Sequence, residues 1–141
     1  MTRKKLKQEV KTMTQANIVK EKPKVVEFKD GEEVFGTAEE ITSREVGAEG
    51  ANLARITLFG PDVIHTHEKA EETYIYESGM GKILLGDQIS EFGPGTRVII
   101  PSGTPHAAKP ANSFPRFVFL CLSSPPFDPD DVHPDPRGRN W

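Results

Sequence analysis

Two histidines one residue apart, His65 and His67, are followed by a carboxylate at Glu72 and later by a third imidazole at His106. Side chains on a β-strand alternate between faces, so His65 and His67 point the same way from one strand. After a short turn Glu72 opens a strand-like run, Thr73-Tyr74-Ile75-Tyr76. His106 follows the turn Pro101-Ser102-Gly103-Thr104-Pro105, which ends another strand over 96–100. Three imidazoles and one carboxylate converging from separate strands make a ligand set for a divalent transition metal. Imidazole suits Fe, Mn, Ni, Zn or Cu, and the mixed nitrogen and oxygen donors select none of them. On a six-coordinate metal this quartet leaves room for a bidentate substrate, or for substrate and dioxygen. A four-coordinate zinc would be closed and structural.

The elements that must position these groups are short strands. Asn52 to Phe59 is the clearest, with further runs at 63–67, 72–78, 81–85, 88–92, 96–100, 105–109 and 115–123. Gly79, Gly81, Gly86, Gly93-Pro94-Gly95 and Ser102-Gly103 punctuate them. Upstream, 25–28, 33–35 and 40–46 also read as strands. Many short strands with regular turns and no sustained helical period predict an all-β, antiparallel double sheet or barrel of the jelly-roll class. The last strand, Phe117 to Leu122, is apolar on both faces, which requires either a covering layer of the same chain or a second subunit.

The residues around the quartet resemble the two motifs of the cupin superfamily, G-x5-H-x-H-x3,4-E-x6-G and G-x5-P-x-G-x2-H-x3-N. The first is carried by Gly60, His65, His67, Glu72 and Gly79, with one residue fewer after Gly60; the second by Gly95, Pro101, Gly103 and His106. Pro110 stands where the family has Asn, a departure at a strand end and not at a ligand. The resemblance covers about residues 50–122. It chooses Glu72 over Glu71, because Glu72 has the family's spacing to Gly79. It implies a double-stranded β-helix and a metal held by His65, His67, Glu72 and His106.

Composition bounds the rest. A chain of 141 residues suits one domain with one core. No apolar run is long enough for a transmembrane helix, and the N-terminus has no apolar signal segment, so a cytoplasmic, membrane-free protein is expected. The single cysteine, Cys121, has no internal disulfide partner and reads as a buried, inert thiol. The net charge of −3 is uneven: residues 1–24 carry +6 and the remainder −9. A basic arm of this kind lacks aromatic or recognition elements, and the acidic body argues against a nucleic-acid surface on the main domain. The expected organisation is a basic, flexible arm over 1–24, with a brief amphipathic pattern at Leu6, Val10 and Met13. A β-barrel follows over 25–123, then an irregular Pro- and Asp-rich tail over 124–141.

Tyr74 and Tyr76 share parity with Glu72 and are the candidate catalytic residues, able to handle a proton or bind an oxyanion. Glu71 falls on the opposite face and reads as solvated. Arg55 would clamp an anionic group if it pointed inward, and an outward, solvated position is the simpler expectation. His133, in the tail, reads as a surface residue. The resemblance implies a metal-dependent enzyme on a small oxygen-rich molecule, of dioxygenase, isomerase, decarboxylase or lyase type. Many short cupins of this kind look like the sugar-phosphate isomerase group or small dioxygenases, and the sequence does not separate the two. The alternative is a sensor or binding module in which the metal orients a small ligand without turnover. A homodimer is expected in either case.

Overall fold

The computed structural model describes residues 50–141 apart from Ser113 and, before residue 50, the strands β1 (Glu32–Glu33) and β2 (Glu39–Val46). The basic arm and the expected strand at 25–28 lie outside the described residues. The chain continues through β3 (Asn52–Leu58), β4 (His65–Thr66), β5 (Glu71–Ser78), β6 (Gly81–Leu85), β7 (Gln88–Phe92), β8 (Arg97–Ile100), β9 (His106–Pro110) and β10 (Phe117–Ser124). A 3-10 turn at Pro129–Asp131 and β11 (His133–Pro134) follow. Among the described residues there is no α-helix, and hence none long and apolar enough to cross a membrane.

The strands form two antiparallel sheets, in the orders β1-β2-β3-β10-β5-β8 and β11-β4-β9-β6-β7. This is the jelly-roll that the short strands and turns predict. Alternation sets the inner faces: Ala54, Ile56 and Leu58 of β3 are buried, and Arg55 between them pairs outward with Glu77 at 2.8 and 2.9 Å. The centre is aromatic. Phe92, Phe117 and Phe119 are almost fully buried, with ring centroids 5.0, 5.3 and 5.7 Å apart, and Tyr74 lies 4.4 Å from Phe119. Such pairs add about 0.5–1.5 kcal/mol each beyond the area they bury.

Two glycines explain why the strands turn where they do. Leu85 pairs with Gln88, leaving Gly86-Asp87 as a two-residue turn whose first position has a φ of +62°. Gly79 has a φ of +82° and approaches the Arg116 carbonyl so closely that a Cβ would sit 2.6 Å from it. Pro110 is the last residue of β9, so the departure from the cupin motif falls at a strand terminus.

β10 lies in the middle of its sheet, between β3 and β5. Its inner residues Phe117, Phe119 and Cys121 are buried, and of its outer ones Val118 is buried, Leu120 half-buried and Leu122 exposed. The segment after β10 is irregular apart from the 3-10 turn and β11, and it is anchored to the barrel at several points. Trp141 packs on Ile64, Leu84 and Ala107, β11 pairs with β4, and Asp131 is buried. Its many prolines and aspartates suggest a solvated coil, but they form capped turns that bond the barrel edge.

Candidate metal centre

His65 and His106 are directly paired across β4 and β9, with ring centroids 4.4 Å apart. His67 follows β4, its ring 5.0 Å from His65 and 5.4 Å from His106. Glu72 comes from β5 in the opposite sheet. The turn bearing Gly103 is tied to the first histidine pair, because Gly103 N–H donates to the His67 carbonyl at 2.7 Å. The four predicted side chains therefore meet between the sheets. All are buried, and one donor atom from each lies within 4.8 Å of the others.

The ring orientations follow from hydrogen bonds to the backbone. His65 Nδ1 lies 2.7 Å from the Val63 carbonyl, His67 Nδ1 3.0 Å from that of Asp131, and His106 Nδ1 2.8 Å from that of Thr104. A carbonyl can only accept, so this geometry puts a proton on Nδ1 of all three rings, and in the neutral form each Nε2 carries a lone pair. His106 Nε2 and His67 Nε2 then stand 2.9 and 3.0 Å from Glu72 Oε1, acceptor against acceptor. The His67 contact is close but lacks hydrogen-bond geometry, so Nε2 is a buried polar atom without a hydrogen-bond partner. The close approach of two imidazole nitrogens to one carboxylate oxygen calls for a cation among them, either a proton on an imidazole or a metal ion. This donor set fits a divalent transition metal.

Burial lowers the His65 pKa to about 3, so His65 is neutral at pH 7. Burial also opposes charge on His67, yet its pKa is raised by Glu72 and by Asp131 behind it. Burial favours the neutral acid at Glu72, but His106 and His67 hold its carboxyl well below the usual range. Glu72 is thus ionised and His65 neutral at pH 7, the forms that ligate metals.

A cavity of about 30 Å³ is lined by His65, His67 and Glu72 of the quartet, and also by Tyr74, Asp62, Cys121 and Phe127. The two candidate tyrosines part company here. Tyr74 is buried at the cavity, its hydroxyl 3.5 Å from Glu72 Oε1. Tyr76 is half-buried, donates to the Gly79 carbonyl at 2.9 Å and does not line the cavity. Arg55 points outward in its pair with Glu77, and Glu71 is exposed. His133 is exposed on β11, outside the quartet.

Three participants escaped the sequence reading. Cys121 is buried as expected, but its Sγ–H donates to Glu72 Oε2 at 2.9 Å, and Ser123 Oγ–H joins it at 3.1 Å. Ser123 pairs directly with Glu72 across β10 and β5, a register the sequence does not state. Asp62 is buried at the cavity, its carboxylate 3.7 Å from His65 Nδ1; its place three residues before His65 was the only signal.

No protein-family model matches the chain, and no curated protein matches it in sequence. Its fold does match solved structures. The nucleoside dehydratase Pac13, from Streptomyces, aligns with a TM-score of 0.65 at 15% identity, over 79% of this chain and 92% of that one. KdgF from Halomonas sp. aligns with a TM-score of 0.62 at 19% identity, over 70% and 90%. Oxalate decarboxylase from Bacillus subtilis aligns at 0.62 and 18%, over 80% of this chain and 33% of that one. The chain has the cupin fold. At these identities the likeness is one of architecture, and the chemistry must be read from the chain's own residues.

Proposed function

We propose that this protein is a metal-dependent enzyme acting on a small oxygen-rich molecule, with His65, His67, Glu72 and His106 as the metal ligands. One observation carries the reading: all three imidazoles commit Nδ1 to backbone carbonyls, and the Nε2 atoms of His67 and His106 converge on Glu72 Oε1 at 3.0 and 2.9 Å. A bound metal supplies a Lewis-acid centre that polarises a carbonyl or holds a chelated substrate. Around it, Tyr74 is placed to move a proton, Asp62 to accept a hydrogen bond from a substrate hydroxyl, and Phe127 to keep water out. Two of the structures similar in fold are named for a nucleoside dehydratase and an oxalate decarboxylase, both chemistries of small oxygen-rich molecules, which supports the substrate class.

The test is elemental analysis of protein purified without a metal-chelating tag, followed by oxygen-uptake assays with the metal found. About one equivalent of Fe, Mn, Ni, Zn or Cu is expected, and His106→Ala is expected to lose metal and activity together. Full metal content in that variant would reject the ligand assignment. Substrate-dependent oxygen uptake selects a dioxygenase, and turnover without it selects lyase, decarboxylase or isomerase chemistry.

A second reading is a module that orients a small ligand without turnover, which the small cavity at the ligands, about 30 Å³, suits as well as it suits an enzyme. Ligand binding with no product formed would select it. The homodimer reading rests on the outer face of the six-stranded sheet, where Ile99 is 70% exposed and Leu122 is 39% exposed. Light scattering at micromolar concentration decides it: a monomer mass removes the dimer.

A further inference from the structure

We propose that Asp131, in the segment after the last long strand, is a positioning residue for the metal centre. It clasps the loop between the second and third ligands and fixes the ring of His67. This deepens the metal reading above and rests on it.

Asp131 is 4% exposed, and both of its polar ends are used. Its carboxylate accepts from three consecutive backbone N–H groups: Glu68 at 3.0 Å and Lys69 at 3.1 Å on Oδ1, and Lys69 and Ala70 at 3.1 Å on Oδ2. These residues form the loop that joins His67 to the strand bearing Glu72. Its carbonyl accepts the Nδ1–H of His67 at 3.0 Å. One residue therefore sets both the path of the chain between two ligands and the tautomer of one of them. Outer partners of this kind orient a metal-bound imidazole and govern affinity.

Asp131 is itself held from both sides. Asp128 caps the 3-10 turn, its side chain accepting from Asp130 N at 2.9 Å and its carbonyl from Asp131 N at 3.0 Å. On the other side β11 pairs with β4, placing Pro134 opposite His65 and His133 opposite Thr66. Only a side chain with two acceptor oxygens serves three converging donors. Asparagine has one, and its NH2 would face backbone N–H groups.

The experiment compares the full chain with Asp131→Asn and with Arg137→Ala as a control that loosens the tail at its contacts with Gly86 and Asp87. Mn2+ affinity is measured by titration, the bound ion by its electron paramagnetic resonance spectrum, and the 68–70 amides by hydrogen exchange. For Asp131→Asn a 10–100-fold weaker Mn2+ affinity, an altered Mn2+ spectrum and faster exchange at 68–70 are expected; Arg137→Ala keeps the wild-type affinity and spectrum. A folded Asp131→Asn that binds Mn2+ within about twofold of wild type (under ~0.5 kcal/mol) overturns the proposal. Should Asp131→Asn not fold, the His67 ring of the wild type is read by nitrogen-15 NMR: protonation at Nδ1 supports the clasp, and at Nε2 overturns it. If the wild type binds no Mn2+ or other divalent metal, the metal reading fails. Exchange at 68–70 then decides the clasp alone: faster in Asp131→Asn supports it, unchanged overturns it.

Discussion

Replacing Glu72 by glutamine keeps the size of the side chain and exchanges one carboxylate oxygen for an NH2. Oε2 accepts from Cys121 Sγ at 2.9 Å and Ser123 Oγ at 3.1 Å, and the glutamine carbonyl can take that place. Its NH2 then stands where Oε1 was, 2.9 Å from His106 Nε2 and 3.0 Å from His67 Nε2, and donates to a lone pair. Losing a hydrogen bond to a charged group costs about 1.5–3 kcal/mol, and the new amide–imidazole bond restores about 1 kcal/mol. The net loss of stability is therefore under about 2 kcal/mol. Metal binding fares worse, since an anionic ligand is gone and an NH2 fills its position. Outer partners alone are worth about 10–100-fold in affinity, so a loss above ~100-fold is expected. The assay is thermal unfolding with and without Mn2+ at about one hundred times the wild-type Kd, where binding adds about 2.7 kcal/mol. For a chain of this size that raises the midpoint by roughly 8–13 °C. The wild type should show this rise and Glu72→Gln none, with its metal-free midpoint within roughly 10 °C of wild type. A variant that keeps the rise, or that is unfolded at room temperature, refutes this account of the donor set.

Tyr74→Phe should keep full metal content, while turnover falls by about 10²–10⁴-fold, the usual worth of a positioned proton donor; unchanged turnover removes Tyr74 from the chemistry. Phe117→Ala empties a site with 0% exposure beside Phe92 and Phe119 and should cost about 3–5 kcal/mol by denaturant unfolding. Arg137 hydrogen-bonds Asp135 and holds its carboxyl below the usual range. The sign follows: this anchor contributes above the ordinary carboxylate pKa and is lost as pH falls through the depressed one. Fluorescence of the single tryptophan, Trp141, should report the loosening, and Asp135→Asn should remove that part of the acid transition.

The quartet was legible because it is local in pattern. His65 and His67 flank Thr66 at the end of β4, and the glycines and prolines around Glu72 and His106 mark the turns that return each strand to the same place. The β-architecture was legible for the same reason, and the expected runs at 81–85 and 88–92 match β6 and β7 in extent. What stayed hidden depends on register and on long-range pairing. Nothing in Leu122-Ser123-Ser124 says that Ser123 lies opposite Glu72, and nothing near Cys121 says that its thiol meets a carboxylate. Parity put Tyr74 and Tyr76 on one face correctly, but the register shift between Val118 and Phe119 lies beside Tyr76, and parity says nothing of depth along the barrel. The anchoring of the tail stayed hidden too: prolines and aspartates describe a coil, and nothing in them says that Asp131 binds the backbone of residues 68–70.

The hydrogen bond from His67 to Asp131 spans 64 positions of sequence, and that from Ser123 to Glu72 spans 51. Such contacts close large loops, and their entropic cost is met only after nearer strands have paired. On the ribosome the chain emerges from its N-terminal end. The histidine pair at 65 and 67 is therefore exposed well before the groups that orient it have been synthesised. During that interval the imidazoles can turn and either ring nitrogen can carry the proton. A nascent chain halted after His106 but before Asp131 has every metal donor and an unfixed His67, so the shape of the centre is among the last features of the fold to be set.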